Sequence, residues 1–258
     1  MSARVMRTGR RIVGALALSL LAILPVPASA TNIQRVVSAG GIEAWLVQDA
    51  TVPVIAMEFA FAGGSTQDPA GKPGVSNMVS GLLDEGAGDL DSKAFRERME
   101  RRAIDISFSA SREYLRGSLR TLKENRDEAF DLLRLSVTKP RFDDEAIERI
   151  RAQILSTLRR QSTSPNDIAS RRFFEAAYGD HPYAWPPMGT MQSVGGISAD
   201  DLRSYTKRNL AREQLKVAVL GDIHPASVRA PPERIFCRLA PKPGRRPIAP
   251  AAPAPSPP

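Results

Sequence analysis

Apolar residues recur along this chain with two periods, and the switch between them marks its elements. Alternation at every second position runs through Gln34 to Ser38, Glu43 to Gln48 and Val54 to Phe61, the last ending in Gly63-Gly64. It returns at Ile104, Ile106 and Phe108, at Tyr114 to Leu122 and at Lys216 to Leu220. Such alternation predicts strands with one buried face. Between these runs the spacing becomes helical. Val75, Met78, Val79, Leu82 and Leu83 fall at i, i+3, i+4, i+7 and i+8, one apolar stripe on a helix. A second helix is predicted over Ser92 to Arg102, where Phe95 and Met99 share a face and Asp91 or Ser92 can cap the first turn. Further helices are predicted over Glu124 to Thr138, Asp143 to Arg160 and Asn166 to Tyr178, and another begins at Ser198-Ala199-Asp200-Asp201. Strands with antiparallel neighbours and several long helices predict an α+β architecture, an antiparallel sheet with helices packed on one face.

Composition divides the chain into three. Residues 1–30 read as a cleavable signal peptide: Arg4, Arg7, Arg10 and Arg11, an apolar run from Ile12 to Leu24, then Ala28-Ser29-Ala30 as the cleavage site. The apolar run is shorter than the ~20 residues that a membrane span needs, so no stable anchor is expected. Residues 31–223 form the predicted domain. From residue 224 to 258 the chain is rich in proline, with 11 of its 21 prolines beyond residue 224, and its last ten residues are only Pro, Ala and Ser. That composition predicts a linker-like tail, extended and mobile.

The formal charge of +8 suggests nucleic acid until it is located. Setting aside the four arginines of the leader and the +5 of the tail leaves −1 for residues 31–223. A neutral folded body is not the basic footprint of a nucleic-acid binder. The basic runs Arg96 to Arg102 and Arg149 to Arg160 are interleaved with apolar residues at helical spacing and read as solvated helix faces. Cys237 is the only cysteine, so no intrachain disulfide is possible and stability must come from the core.

The chemistry-bearing positions lie in the helix that begins at Val75. Asn77, Ser80 and Gly81 sit off its apolar stripe and close together. His, Glu and His at those positions would converge on Zn²⁺ with the Glu as general base. Asn is a poor zinc ligand, Ser has no basic group at neutral pH and Gly has no side chain. Asp84 and Glu85 are adjacent, point about 100° apart on a helix and do not share a proton. A weak ion site from Asn77, Asp84 and water is disfavoured. His181, in Asp180-His181-Pro182-Tyr183, reads as a loop-fixing residue, and His224 as a solvated one. Gly63-Gly64-Ser65 lacks the lysine of a phosphate loop and reads as a turn. Ser80 has no His or Lys nearby in sequence to activate it as a nucleophile.

Lys72 to Gly86 resembles the inverted zinc motif, His-x-x-Glu-His, of the M16 metallopeptidases, the insulinase or pitrilysin family. The first His falls on Asn77, the Glu on Ser80 and the second His on Gly81. The family's third ligand, a Glu in a later helix, falls on Thr157 within Ile154-Leu155-Ser156-Thr157-Leu158, 76 residues after Gly81. The resemblance extends in order from Ile33 to Pro247. It runs through Gly41 to Val47, Ala60 to Ser65, Pro140-Arg141-Phe142, Asp180 to Tyr183 with Gly189, and Val217 to Ile223.

The resemblance implies an M16 peptidase-like domain of the LuxS/MPP-like metallohydrolase type, the family's N-terminal domain, with Asn77, Ser80, Gly81 and Thr157 as degenerate catalytic positions. It implies no metal or other cofactor here, although the family uses zinc. The family's second domain is not matched, so the chain resembles the first half of a member, stopped at the linker. The function expected is a non-catalytic subunit, periplasmic after cleavage behind Ala30, that pairs with an active zinc M16 peptidase or with itself and helps bind peptide. The alternatives are a zinc metalloendopeptidase, which the missing ligands disfavour, and a truncated non-functional fragment.

Overall fold

The computed structural model describes residues 32–223 and 230–251. The signal peptide and cleavage site expected in residues 1–30, and His224, lie outside them. Six strands form one sheet: β1 (Ile33–Val37), β2 (Glu43–Gln48), β3 (Val54–Ala62), β4 (Asp105–Ala110), β5 (Tyr114–Leu122) and β6 (Lys216–Gly221), in the order β1-β2-β6-β3-β5-β4. The helices are α1 (Val75–Ser80), α2 (Ser92–Arg101), α3 (Arg126–Thr138), α4 (Asp144–Gln161), α5 (Pro165–Tyr178), α6 (Met191–Gly195), α7 (Ala199–Asn209) and α8 (Ala230–Phe236).

The strands form where alternation predicts them. In β3, Ile55, Met57, Phe59 and Phe61 are buried while the residues between them are partly or fully exposed. Leu115 and Leu119 of β5 and Val217 and Val219 of β6 do the same, and the helices cover this one face. β5 interrupts its buried row with Gly117, paired with Phe59. A Cβ there would lie 2.1 Å from Phe59 Cζ, so the glycine makes room for the ring.

The α+β architecture with helices on one face of a largely antiparallel sheet is as expected, and one pairing departs from the rest. Four pairings are antiparallel, but β2 and β6 run parallel. The chain leaves the sheet after β5, builds α3 to α7, and returns to insert β6 between β2 and β3. Those two strands run in opposite directions, so any strand placed between them is antiparallel to one and parallel to the other.

Among the described residues no element covers the opposite face of the sheet. Trp45 and Leu220 are each about half exposed there, with Ile33 and Val37 of the edge strand β1 on the same side. Ile33 pairs with Val47, and Val47 with Leu220, so these residues form a continuous apolar strip across β1, β2 and β6.

The proline-rich segment does need a correction: α8 packs into the core, and residues 237–251, largely exposed, are tied down by hydrogen bonds rather than free. In α8, Ile235 and Phe236 are fully buried, and the Phe236 ring lies 5.3 Å from that of Phe59 and 6.0 Å from that of Phe61. Glu233 accepts hydrogen bonds from Ser38 Oγ (2.7 Å) and Gly40 N–H (2.9 Å), while Arg234 pairs with Asp127 and Asp131 of α3. Beyond α8, Arg212 N–H donates to Ala240 O, Gly244 N–H to Arg208 O, and Gln67 exchanges two hydrogen bonds with the backbone of Arg246. The proline-rich composition hid a few well-placed apolar residues, Ile235 and Phe236 among them, whose burial offsets the ordering cost.

Candidate functional site

The site is built around the short helix α1 and the loop before it. β3 leads into a 3₁₀ turn, Gly64–Gln67, whose Gly64 carbonyl accepts a hydrogen bond from the buried Tyr205 hydroxyl of α7 at 2.9 Å. Asp68 follows, fully buried. Its two carboxylate oxygens accept from the N–H groups of Gly74 (2.7 Å) and Ser76 (2.8 Å). These are orphan donors at the start of α1, and the N-cap residue itself, Gly74, has no side chain to satisfy them. Gly74 is needed there for another reason: its φ is 102°, and a Cβ would lie 2.8 Å from Met188 O. Burial pushes the Asp68 carboxyl up to about 7, against the opposing effect of its hydrogen bonds and of nearby Arg246.

Val75, Met78 and Val79 of α1 are fully buried, as are Leu82 and Leu83 just beyond it. The stripe predicts a helix through Leu83, but the regular helix stops at Ser80 and Gly81 is its C-cap. Leu82 N–H bonds to Val79 O, three residues back, so the chain tightens into a turn while still pointing both leucines inward. Gly at the end of the turn of helix, and a Ser whose hydroxyl takes a backbone acceptor, account for the early stop.

Asn77, Ser80 and Gly81 are brought together. Ser80 Oγ donates to Asn77 O at 2.8 Å, and Gly81 N–H donates to the same carbonyl at 3.2 Å. Gly81 faces α4, where a Cβ on it would stand 3.2 Å from Ile150 Cγ2. Thr157 lies two helical turns further along α4 than Ile150, on the same side. Its hydroxyl donates to Gln153 O at 3.1 Å and accepts from Arg160 Nη2 at 2.9 Å. Asn77 and Leu158, next to Thr157, line one cleft of about 320 Å³. Helices α1 and α4 therefore lie side by side with both motif segments on the same flank.

Asp84 and Glu85 separate, as adjacent helical residues should. Glu85 is buried and takes hydrogen bonds from Ser92, Arg96 (2.9 Å) and Arg149 (2.5 Å), tying the end of the motif segment to α2 and α4. Asp84 is half-buried, and burial first, then the charges of Glu85 and Asp105, raise its carboxyl to about 6. The basic runs do more than face solvent. Arg96 and Arg149 hold Glu85, Arg98 and Arg102 hold Glu128, and Arg151 donates to the carbonyls of Val194 and Ile197.

His181 fixes a loop. Its Nδ1 accepts from Tyr183 N–H at 3.2 Å. Its Nε2 lies 2.9 Å from Ala249 O, which can only accept, so the neutral ring carries its proton on Nε2. Among the described residues no group of three or more His, Cys, Asp and Glu side chains is placed to hold a metal ion.

The cleft beside Asn77 also holds residues that sequence reasoning missed. Arg112, in the turn between β4 and β5, lays its guanidinium 3.7 Å from the centroid of Phe174 on α5 and donates from Nε to Tyr183 O at 3.2 Å. The signal available in the sequence was a lone arginine at a hairpin tip, which by itself points nowhere.

The insulinase family, peptidase family M16, matches residues 45–191, more than half of the chain. The chain belongs to this family. A Helicobacter pylori protein described as the non-peptidase homolog YmxG is 27% identical over 187 residues, covering 69% of this chain and 43% of that protein. The uncharacterized zinc protease YmxG of Bacillus subtilis is 21% identical, with 76% and 48% covered. Among solved structures, a peptidase M16 inactive domain from Pseudomonas fluorescens superposes with a TM-score of 0.80 at 27% identity, covering 86% of this chain and 54% of that one. The periplasmic protease PqqL from Escherichia coli shares the fold, with a TM-score of 0.75 at 15% identity over 87% of this chain and 26% of that one. The chain spans about half the length, or less, of the curated relatives it matches. Both zinc-protease and non-peptidase descriptions occur among these M16 relatives, so the residues at the motif positions must separate them.

Proposed function

We propose that this chain is a non-catalytic M16 peptidase-like subunit that pairs with a zinc-bearing M16 peptidase and helps it hold peptide. The observation that carries the reading is the set Asn77, Ser80, Gly81 and Thr157 at the four motif positions. Those residues do not fit zinc. The Asn77 backbone carbonyl is already taken by Ser80 and Gly81, the Thr157 hydroxyl is engaged within its own helix, and Gly81 offers nothing. A tetrahedral catalytic site needs three deprotonated or neutral-imidazole ligands and an activated water, and no step through a metal follows from this set. The H. pylori non-peptidase homolog and the P. fluorescens inactive domain support the same reading.

The apolar strip of Ile33, Trp45 and Leu220 on the open sheet face supports association with a peptidase or with a second copy of this chain, since large exposed apolar patches mark interaction sites. Export to the periplasm fits the leader expected in residues 1–30 and the periplasmic description of the E. coli neighbour. Among the described residues no helix is long and apolar enough to cross a membrane.

The test is co-expression with a zinc M16 peptidase from the same source, followed by size-exclusion chromatography, metal analysis and peptide hydrolysis. The expected result is a complex with zinc on the peptidase alone and faster cleavage than the peptidase shows by itself. Stoichiometric, chelator-removable zinc on this chain would instead favour the metalloendopeptidase reading. A chain that joins neither the peptidase nor itself would overturn the subunit assignment.

A further inference from the structure

The cleft of about 320 Å³ beside Asn77 has the size and lining of a small-ligand site, near the lower end of the ~300–1,000 Å³ usual for such pockets. Its walls are mixed: Leu158 from α4, Phe174 from α5, and Pro187 and Met188 from the loop before α6 give the apolar part, and Asn77, Gln161 and Ser170 the uncharged polar part. Its charges come from Arg112, Arg171 and Asp167, one more cation than anion.

Arg112 is the informative residue. It is half-buried, and burial lowers the affinity of its guanidinium for the proton; among the described residues it forms no ion pair, although Asp167 lines the same cleft and Glu113 accepts from the Tyr183 hydroxyl. Among the described residues only Nε finds an acceptor, Tyr183 O, while the stack on Phe174 at 3.7 Å holds the guanidinium plane in place. The terminal nitrogens of a fixed guanidinium form a fork suited to a carboxylate. A partly desolvated cation with no directly paired carboxylate among the described residues gains most from an anion that brings apolar surface with it.

We infer that this cleft binds a carboxylate carried on a compact apolar body, with Arg112 receiving the carboxylate and Leu158, Phe174 and Met188 packing the apolar part. Two sources have that chemistry, the C-terminal residue of a peptide and a free N-acylated apolar amino acid. Asn77 lines the cleft and supplies an amide able to hydrogen-bond the ligand's own amide. The loss of zinc-type ligands at this position therefore leaves a recognition pocket rather than a void. The cleft would take such a ligand whether or not the chain pairs with a peptidase, so ligand titration and co-purification with a peptidase fail separately.

The experiment is calorimetric or ligand-observed NMR titration of the purified chain with four probes: N-acetyl-leucine, N-acetyl-leucine amide, and a leucine-terminated tripeptide with a free or an amidated C-terminus. The acids are expected to bind and the amides to bind at least about tenfold more weakly, as for loss of a charge-assisted hydrogen bond. Arg112→Gln should weaken the acids by about tenfold or more while leaving the amides unchanged. Asp167→Asn, on an exposed helix where folding is not at stake, should strengthen the acids by about two- to fivefold. Preference for the tripeptide acid assigns the site to peptide C-termini, and preference for N-acetyl-leucine assigns it to free acids. Equal binding of acids and amides, indifference to both substitutions, or no binding of any probe at millimolar concentration would overturn the assignment.

Discussion

Phe236→Ala probes whether the proline-rich segment belongs to the domain. Phe236 is fully buried, edge-on to Phe61 at 6.0 Å and tilted on Phe59 at 5.3 Å, and Phe59 in turn meets Phe108 at 6.0 Å. Truncating it removes a whole ring from the centre of this aromatic cluster. Core Phe→Ala changes cost ~3–5 kcal/mol from lost transfer energy and the residual cavity. The ring pairs with Phe59 and Phe61 disappear as well, at ~0.5–1.5 kcal/mol each, which places the expected value toward the upper half of that range. Against a total of ~5–15 kcal/mol for a typical domain, the loss is severe. Urea denaturation followed by far-ultraviolet circular dichroism measures it, with Arg238→Ala as the control. Arg238 is exposed, next to α8, and its truncation should change stability by no more than ~0.5 kcal/mol. A Phe236→Ala variant as stable as the control would mean that α8 is not docked, and the packing of residues 230–251 would be wrong.

Three further outcomes are expected. Gly117→Ala should cost ~1–3 kcal/mol from the 2.1 Å approach to Phe59 Cζ, and much less in a Phe59→Leu background. Equal costs in the two backgrounds, measured as a double-mutant cycle, would show that the ring is not the obstacle. Asp68 carries a carboxyl raised from 3.8 to about 7 by burial, so the folded state holds a proton that the unfolded chain has released. Its contribution is therefore complete below pH 3.8 and fades as pH rises through 7, by as much as ~4 kcal/mol at ~1.4 kcal/mol per pH unit. Asp68→Asn should flatten stability between pH 4.5 and 7.5 relative to the parent; parallel profiles would refute the effect. Combining Asn77→His, Ser80→Glu, Gly81→His and Thr157→Glu should create zinc affinity detectable by titration calorimetry, after a shift of Ile150 to admit a side chain at position 81. A quadruple variant indistinguishable from the parent would mean that the four positions do not surround one point.

Local pattern set most of the element inventory. Ile55, Met57, Phe59 and Phe61 need only alternate to specify a half-buried strand, and the stripe from Val75 to Leu83 needs only its spacing to bury one side of a helix. The positions of Asn77, Ser80 and Gly81 were legible for the same reason, since residues three and four apart on a helix meet regardless of what surrounds it. Thr157 was placed by the family resemblance, because nothing local connects it to residues 76 positions earlier.

Long-range features had to wait for the folded chain. No local feature of Lys216 to Gly221 says that it will lie between β2 and β3, parallel to one and antiparallel to the other; a strand's neighbours depend on where the intervening helices return the chain. The proline-rich composition after residue 224 correctly signalled a change in chain character but missed the docking of α8, whose energy comes from Ile235 and Phe236 meeting rings more than a hundred residues away. Asp68 as the cap of a helix that starts seven residues later, and Arg112 over Phe174 beside Asn77, belong to the same class. Each is a pair of ordinary residues whose chemistry exists only after folding has removed the water between them.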